Sequence, residues 1–179
     1  GVYAYGESGN GTGYSYISIR GFDQSRISVM LDNVPLNDNE SHQVYWVDHG
    51  DILSDAKDVQ IQRGIGNSLY GSAAFGGSIN ILTQIHSDQR ELSASVTVGS
   101  FNTTKYRAKF NSGRMLGDNL SLTARVTQIE SDGYREYHES LQRSMFMGLE
   151  HRGEKITNQF RANIGYENTD LNWDGIAAA

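Results

Sequence analysis

The sequence predicts two regions of different fold, a small mixed sheet with short helices and turns followed by about five long antiparallel strands. Composition supports strands and turns, because only 37% of the 179 residues are hydrophobic, Gly (20) and Tyr (10) are abundant, and Pro occurs once. Most glycines fall before residue 84, and beyond it apolar and polar residues alternate over long stretches. This change in pattern predicts the boundary between the two regions.

Composition also excludes several classes of protein. The formal net charge of -6 argues against a nucleic-acid binder, which carries a basic surface. Without Cys there is no disulfide, thiolate nucleophile or Cys-ligated zinc site. No run approaches the ~18 apolar residues of a membrane helix, although a membrane strand needs only about 10 alternating residues. Because the chain begins at Gly1 without Met, any export signal is expected upstream or removed.

Residues 1–83 are predicted to form one glycine-rich, acidic domain. They hold 12 of the 20 Gly, with 9 acidic against 4 basic residues. Two short strands are predicted at residues 17–20 and 27–31, ended by Gly, Asp, Asn and Pro turns. A strand ending at Arg63, a glycine-rich turn and a last strand at 78–83 complete a small mixed sheet.

After a linker over residues 84–90, residues 91–179 are predicted to form about five antiparallel strands. The apolar members of the alternating runs are Leu92, Ala94, Val96, Val98, Tyr106, Ala108, Phe110, Leu120, Leu122, Ala124, Val126, Met145, Met147, Leu149, Ile156, Phe160, Ala162, Ile164 and Tyr166. One edge has only tight turns, at 115–119 and 151–155, as in membrane barrels with short periplasmic turns and longer outer loops. A soluble β-sandwich can also alternate, but runs of roughly 9 to 11 residues match a tilted bilayer crossing.

Motifs in the first region occur in a distinctive order. They are Ile19-Arg20-Gly21, Asp32 followed by Val34-Pro35-Leu36-Asn37-Asp38, Arg63-Gly64, Leu69-Tyr70-Gly71, and Gly76-Gly77-Ser78-Ile79-Asn80-Ile81. In this order they resemble the C-terminal part of the plug domain of TonB-dependent outer-membrane receptors. The resemblance covers residues 1–83 closely and 84–179 by strand pattern. Asn33 replaces the usual Gly, and because Asn tolerates positive φ we expect the turn to keep its shape. Gln60 replaces a usual acidic residue and leaves any ion pair there in doubt.

The resemblance implies a barrel of roughly 22 strands with a plugged lumen. It implies active transport of a scarce ligand, such as an iron-siderophore or cobalamin, across the bacterial outer membrane. The expected partners are TonB, through an upstream segment, with its inner-membrane energising complex, together with outer-membrane lipid and a small-molecule ligand. Neither a catalytic residue nor a cofactor is implied, so the protein is not expected to be an enzyme. The alternative from another class is a secreted carbohydrate-binding β-sandwich, and a third is a passive channel.

Two segments match the plug loops that the family presents to the outer vestibule, residues 6–16 and 37–46. The ligand-binding candidates are Asn10, Thr12, Tyr14, Tyr16, Asn39, His42, Tyr45 and Trp46. Aromatic faces beside small polar groups suit a bulky, partly apolar ligand. Alternatively, Tyr45 and Trp46 pack the plug against the barrel wall. The resemblance also implies that Arg20 and Arg63 lock the plug to wall carboxylates, the alternative being strand-end arginines in solvent.

Other motifs are weaker signals. Gly64, Gly66 and Gly71 lack the spacing of a phosphate loop. A crowd of acidic and amide residues at 32–40 lacks the spacing of a calcium loop, so a solvated turn is favoured and no metal site is predicted. Five cations are expected on the lumen face of the strands: Lys105, Arg107, Lys109, Arg125 and Arg161. We expect them to seat the acidic plug, the alternative being attraction of an anionic substrate.

Overall fold

A computed structural model describes residues 1–7, 9, 11–64, 75–85, 87–115 and 119–170 of the chain. The chain divides into two compact units, one of Gly1–Tyr5 and Tyr14–Gln84 and the other of Gly6–Gly13 and Ile85–Ala179. Within the described residues, no helix is long and apolar enough to cross a membrane.

The first unit contains two small sheets. Strands β1 (Val2–Gly6) and β2 (Ser15–Ile19) form a two-stranded sheet. Strands β3 (Ile27–Leu31), β4 (Val34–Pro35), β5 (Ala56–Arg63) and β6 (Gly77–Thr83) form a four-stranded sheet in the order β4-β3-β6-β5. β3 and β6 run parallel, and the other pairs are antiparallel, which confirms the predicted mixed sheet. Three short 3-10 helices lie at Gln24–Arg26, Trp46–His49 and Ile52–Asp55.

The core of this unit lies on the central parallel pair. β3 and β6 are buried along most of their length, as expected for a central parallel pair. The buried cluster consists of Ile19, Ile27, Val29, Val44, Ile52, Ile79 and Ile81. β5 is an edge strand and is largely exposed. The predicted strand at 17–20 is wrong at its end, because Arg20 has a φ of 54° and stops β2 at Ile19.

The β3–β4 turn keeps its shape without the usual glycine. Asp32 and Asn33 have φ values of 51° and 68°, the double positive φ of a tight two-residue hairpin loop. The Asp32 carboxylate accepts from the Thr83 N–H (2.8 Å) and from the Thr83 hydroxyl (2.6 Å). Asn80 Nδ2 donates to the Asn33 side-chain oxygen at 3.0 Å. The turn is therefore tied to β6 at both of its residues, and the expectation for Asn33 is confirmed.

The second unit is a five-stranded antiparallel sheet in sequential order. Its strands are β7 (Arg90–Val98), β8 (Thr104–Met115), β9 (Leu120–Ser131), β10 (Ser140–Arg152) and β11 (Thr157–Thr169). The number of strands and their alternation are confirmed. The sequence predicts a long polar connection over residues 131–142, and this is too long, because Ser140 and Gln142 already belong to β10 and pair with Ser131 and Ile129 of β9.

The two faces of this sheet differ in the sense the alternation predicts. The apolar face is exposed, with Val126 at 53% and Met145 at 42% of their accessible surface. The polar face of β9 and β10 is buried, and Arg125 there is 1% exposed. A membrane strand needs this distribution, because lipid takes the place of a core around the apolar face. On β10, Phe146 lies on the polar face and Arg143 lies on the apolar face, against this pattern.

Candidate functional site

The loop at residues 37–46, the second candidate segment, is organised by the side chain of Asn37. Its Oδ1 accepts from the backbone N–H of Val29 at 2.8 Å, and its Nδ2 donates to the carbonyl of Ile27 at 2.9 Å. The same Nδ2 donates to the His42 carbonyl at 2.9 Å. Asn37 therefore hydrogen-bonds β3 as a neighbouring strand would, and fixes the loop to the core.

Asp38 closes the tip of this loop. Its Oδ1 accepts from the Ser41 N–H (2.7 Å), the Ser41 hydroxyl (2.9 Å) and the Glu40 N–H (3.1 Å). These bonds, that from the Ser41 N–H foremost, hold the pKa of Asp38 below its ordinary value of 3.8. The His42 N–H donates to the Asp38 carbonyl at 2.9 Å, and His42 has a φ of 58°. Asn39 and His42 are exposed on a closed turn.

The neighbouring aromatic residues of the loop have different surroundings. Tyr45 is 44% exposed. Trp46 is partly buried and packs against the isoleucine and valine core of the first unit. Its indole Nε1 is buried without a hydrogen-bond partner among the described residues. Tyr45 is thus open to a ligand, whereas Trp46 has the position of a core residue.

A tyrosine cluster joins the end of the first candidate segment, residues 6–16, to the strand that precedes it. Tyr16 of β2 stacks on Tyr5 of β1, with ring centroids 5.1 Å apart and planes 27° apart. Tyr3 lies 6.4 Å from Tyr5, and both Tyr3 and Tyr5 are exposed. Tyr14, close to this pair in sequence, is partly buried. Sequence reasoning missed Tyr3 and Tyr5, although their spacing of two residues predicts one face of a strand.

Thr12 belongs to the second unit. It is buried, and its hydroxyl accepts a hydrogen bond from Ser140, the first residue of β10, at 3.0 Å. A Cβ on Gly13 would lie 3.4 Å from the Thr169 methyl at the end of β11. Thr12 and Gly13 therefore lie at the end of the sheet where β9 leads into β10 through residues 132–139. Asn10 lies outside the described residues.

The connections at this end of the sheet are joined to each other. Asn102 Nδ2 donates to the Asp132 carboxylate at 2.6 Å, and the Asp132 N–H donates to the Phe101 carbonyl at 3.0 Å. Phe101 and Tyr134 form an edge-to-face pair 5.4 Å apart. His138, within the longer connection at 132–139, is buried. These contacts were not predicted, because they join residues about 30 positions apart whose meeting depends on strand register.

Three glycine-containing motifs meet at one end of the four-stranded sheet. Gly64, which follows β5, donates its N–H to Gly76 at 3.1 Å, and a Cβ on Gly64 would lie 3.3 Å from Arg20 Nη1. Arg63 ends β5 opposite Gly77. Arg20 and Arg63 are both exposed, and neither forms an ion pair within the described part of the chain. The fold thus brings together the two arginines that the sequence singled out.

No group of three or more His, Asp or Glu among the described residues could hold a metal ion.

Comparison with known proteins gives consistent matches. Residues 1–78 match the family model described as TonB-dependent Receptor Plug Domain. The ferric citrate transporter FecA in its unliganded form is similar over 96% of this chain, at 17% identity and a TM-score of 0.74. The pyoverdine receptor FpvA of Pseudomonas aeruginosa PAO1 is similar over 88% of this chain, at 14% identity and a TM-score of 0.69. The ferric yersiniabactin receptor FyuA of Yersinia pestis is similar over 93% of this chain, at 19% identity and a TM-score of 0.67. The chain spans 28%, 23% and 27% of these three chains.

Proposed function

We propose that residues 1–78, which match the plug-domain model of TonB-dependent receptors, form the plug of such a receptor, and that the full-length protein performs TonB-dependent transport across the bacterial outer membrane. The fold that the chain shares with solved receptors of this kind supports the proposal. One observation carries the proposal: in this chain, a region that matches a plug domain is followed directly by an antiparallel sheet with one apolar and one polar face. We assign residues 1–83 to the plug, 84–90 to a linker and 91–179 to the start of the barrel.

The apolar face has dimensions that support a place in a bilayer. On β9 the outward residues run from Leu120 through Leu122, Ala124 and Val126 before the first polar residue, Gln128. At ~3.3 Å per residue and a strand tilt of ~40°, the band from Leu120 to Val126 is roughly 15 Å tall, which fits within the ~25 Å apolar band of outer-membrane barrels. A secreted carbohydrate-binding sandwich has no use for such an exposed apolar band.

We propose a ferric chelate as the transported ligand. The names of the three solved matches describe receptors for pyoverdine, ferric citrate and ferric yersiniabactin. In this chain the closed turn exposes Asn39 and His42, with Tyr45 exposed further along the loop. Such polar and aromatic groups can hydrogen-bond and stack on an organic chelator without removing its metal.

The candidate ligand residues then have separate roles. We assign contact with the ligand to Tyr14, Tyr16, Asn39, His42 and Tyr45. Thr12 is assigned to support, because its hydroxyl is bonded to Ser140, and Trp46 is assigned to the core on which the loop rests. Asn10 keeps its assignment as a ligand residue on the resemblance alone.

Arg20 and Arg63 are proposed to lock the plug to carboxylates of the barrel wall. Their exposure supports this, as does the position of Arg20 Nη1 beside Gly64, the residue after Arg63, since exposed guanidinium groups can take bidentate partners. TonB, acting through a segment upstream of this chain and energised from the inner membrane, is proposed to loosen the lock.

Uptake of iron tests the proposal. The full-length gene is expressed in iron-starved cells that lack their own ferric-chelate receptors, and uptake of radiolabelled ferric citrate, ferripyoverdine and ferric yersiniabactin is measured with and without TonB. Uptake of at least one chelate that stops without TonB is expected. Uptake that continues without TonB would indicate a passive channel, and a protein recovered outside the membrane fraction with polysaccharide affinity would favour the secreted binding module.

A further inference from the structure

An apolar groove crosses the exposed face of the five-stranded sheet, with a volume of about 690 Å³. Each strand contributes one residue to a single cross-strand row along it: Ala94, Ala108, Val126, Met145 and Ile164. The two alanines at one end of the row leave room beside the larger side chains. The groove is therefore about one side chain wide and runs across several strands, a shape that suits an extended apolar chain.

The adjacent row forms one border of the groove and is chemically different. It contains Tyr106, Gln128, Arg143 and Tyr166, which are cross-strand neighbours in that order. Arg143 lies between Gln128 and Tyr166 and is exposed. A cation with one phenol beside it, and a second phenol further along the row, thus borders the apolar groove.

The hydrogen bonds of Arg143 leave its charge available. Its Nε donates to Gln128 Oε1 at 2.8 Å, and Gln128 Nε2 donates to Glu130 Oε1 at 2.5 Å. The amide therefore stands between the guanidinium and the Glu130 carboxylate. Within the part of the chain that the structure describes, Arg143 forms no ion pair. Its remaining N–H groups can receive an anion.

The depth of Arg143 in the membrane follows from the rows on either side of it. On one side lie the apolar rows of Val126 and Ala124, and on the other lies a row with Glu130 and Asn168. An arginine on the lipid face costs ~2 to 4 kcal/mol at the bilayer midplane and ~0 to 1 kcal/mol near the interface. The row of Arg143 is thus at headgroup level, where Tyr side chains are also enriched. This is the end of the sheet with the longer connection at 132–139.

We propose that this groove binds a phosphorylated membrane lipid, with an acyl chain along the alanine-lined row and the phosphate on Arg143. The planar guanidinium fork matches phosphate geometry, and the Tyr106 and Tyr166 hydroxyls are donors on the same border. One exposed arginine is a weak site for free phosphate in water, so affinity must come from the chain and the phosphate together. The inference rests on the membrane-spanning strands of the proposed function and does not depend on transport.

Native mass spectrometry of the full-length receptor in detergent tests the site. The probes are dioleoyl phosphatidic acid, dioleoylglycerol, which has the same chains without phosphate, and inorganic phosphate. Phosphatidic acid is expected to bind more tightly than dioleoylglycerol, and Arg143→Gln is expected to weaken its binding about fivefold. Ala108→Leu, which fills the groove and keeps the charge, is expected to weaken it as well.

Arg152→Gln is the matched control, because Arg152 is on the same strand, at its far end, and pairs with Glu150. It is expected to bind phosphatidic acid with the affinity of the unchanged receptor. Equal affinity in Arg143→Gln, or displacement of the lipid by inorganic phosphate at similar concentration, would overturn the proposal. Heat-modifiable migration of each variant reports barrel assembly separately, and ferric-chelate uptake reports transport, so a failed lipid site is distinguishable from a failed function.

Discussion

Ile85 lies directly on Gly148 in the second unit. A Cβ added to Gly148 would come within 2.7 Å of Ile85 Cγ2 and 2.9 Å of its Cβ. The Ile85 carbonyl also accepts a hydrogen bond from Thr123 Oγ1 at 3.1 Å. The start of the linker is therefore held against the polar face of β9 and β10 at a position that only a glycine leaves open.

Gly148→Val is expected to destabilise the full-length receptor by displacing Ile85. Overpacking of a close contact costs typically ~1 to 3 kcal/mol, and the Thr123 hydrogen bond would be strained as well. Thermal unfolding of the purified receptor in detergent measures the change. Gly99→Ala is the control, because its Cβ would meet Thr103 at an ordinary 3.5 Å. An equal midpoint for Gly148→Val and the unchanged receptor would contradict the seating of Ile85.

The tip of the loop at 37–46 is expected to open in acid. The pKa of Asp38 is lower in the folded chain than in the unfolded chain. The ionised carboxylate therefore stabilises the loop at any pH above the unfolded pKa, and this stabilisation is lost as the pH falls through the folded pKa. Hydrogen exchange of the Glu40 and Ser41 amides, compared between about pH 6 and pH 3, measures the opening. Asp38→Asn, which carries no titrating carboxylate, should abolish the extra acid dependence. If both proteins show the same pH profile, Asp38 does not hold the loop.

The strands of the second unit were predictable because lipid and lumen impose a strict period of two on them. The start of β10 was missed because its outward face has no apolar run: Leu141 is apolar, but the next residue on that face, Arg143, is charged. The other face is polar, with Ser140, Gln142 and Ser144. The Asp32-Asn33 turn was predictable from backbone preference alone. The separation of Tyr45 from Trp46 was not, because the 3-10 helix at Trp46–His49 directs the indole to a core assembled from distant residues. The support of Thr12 by Ser140 joins residues 128 positions apart and has no local signal.

Double substitution of Tyr14 and His42 by Ala is expected to weaken ligand binding by more than about 1 kcal/mol, a typical loss for an anchor residue. Barrel assembly should be unchanged, because His42 is exposed and Tyr14 lies outside the buried core cluster. Isothermal titration of the full-length receptor with the ferric chelate that it transports measures the change. Lys57→Ala, on the exposed edge strand β5, is the control. Unchanged affinity in the double variant would mean that these loops are scaffolding.

Arg63→Ala is expected to loosen the plug in the full-length receptor and to raise the permeability of the outer membrane to bulky antibiotics. The physical reason is the loss of a guanidinium group at the sheet end formed by Gly64, Gly76 and Arg20, which leaves any wall carboxylate there unpaired. Sensitivity of cells to a large antibiotic that normally stays outside measures the effect at equal receptor levels.

Gln62→Ala is the matched control, since Gln62 precedes Arg63 on β5 and its side chain points to the opposite face of the strand. Arg20→Ala should act in the same direction, and the double variant should add little if both arginines bind one carboxylate group. Permeability in Arg63→Ala that equals that of Gln62→Ala would show that the arginine is a strand-end residue in solvent and holds no lock.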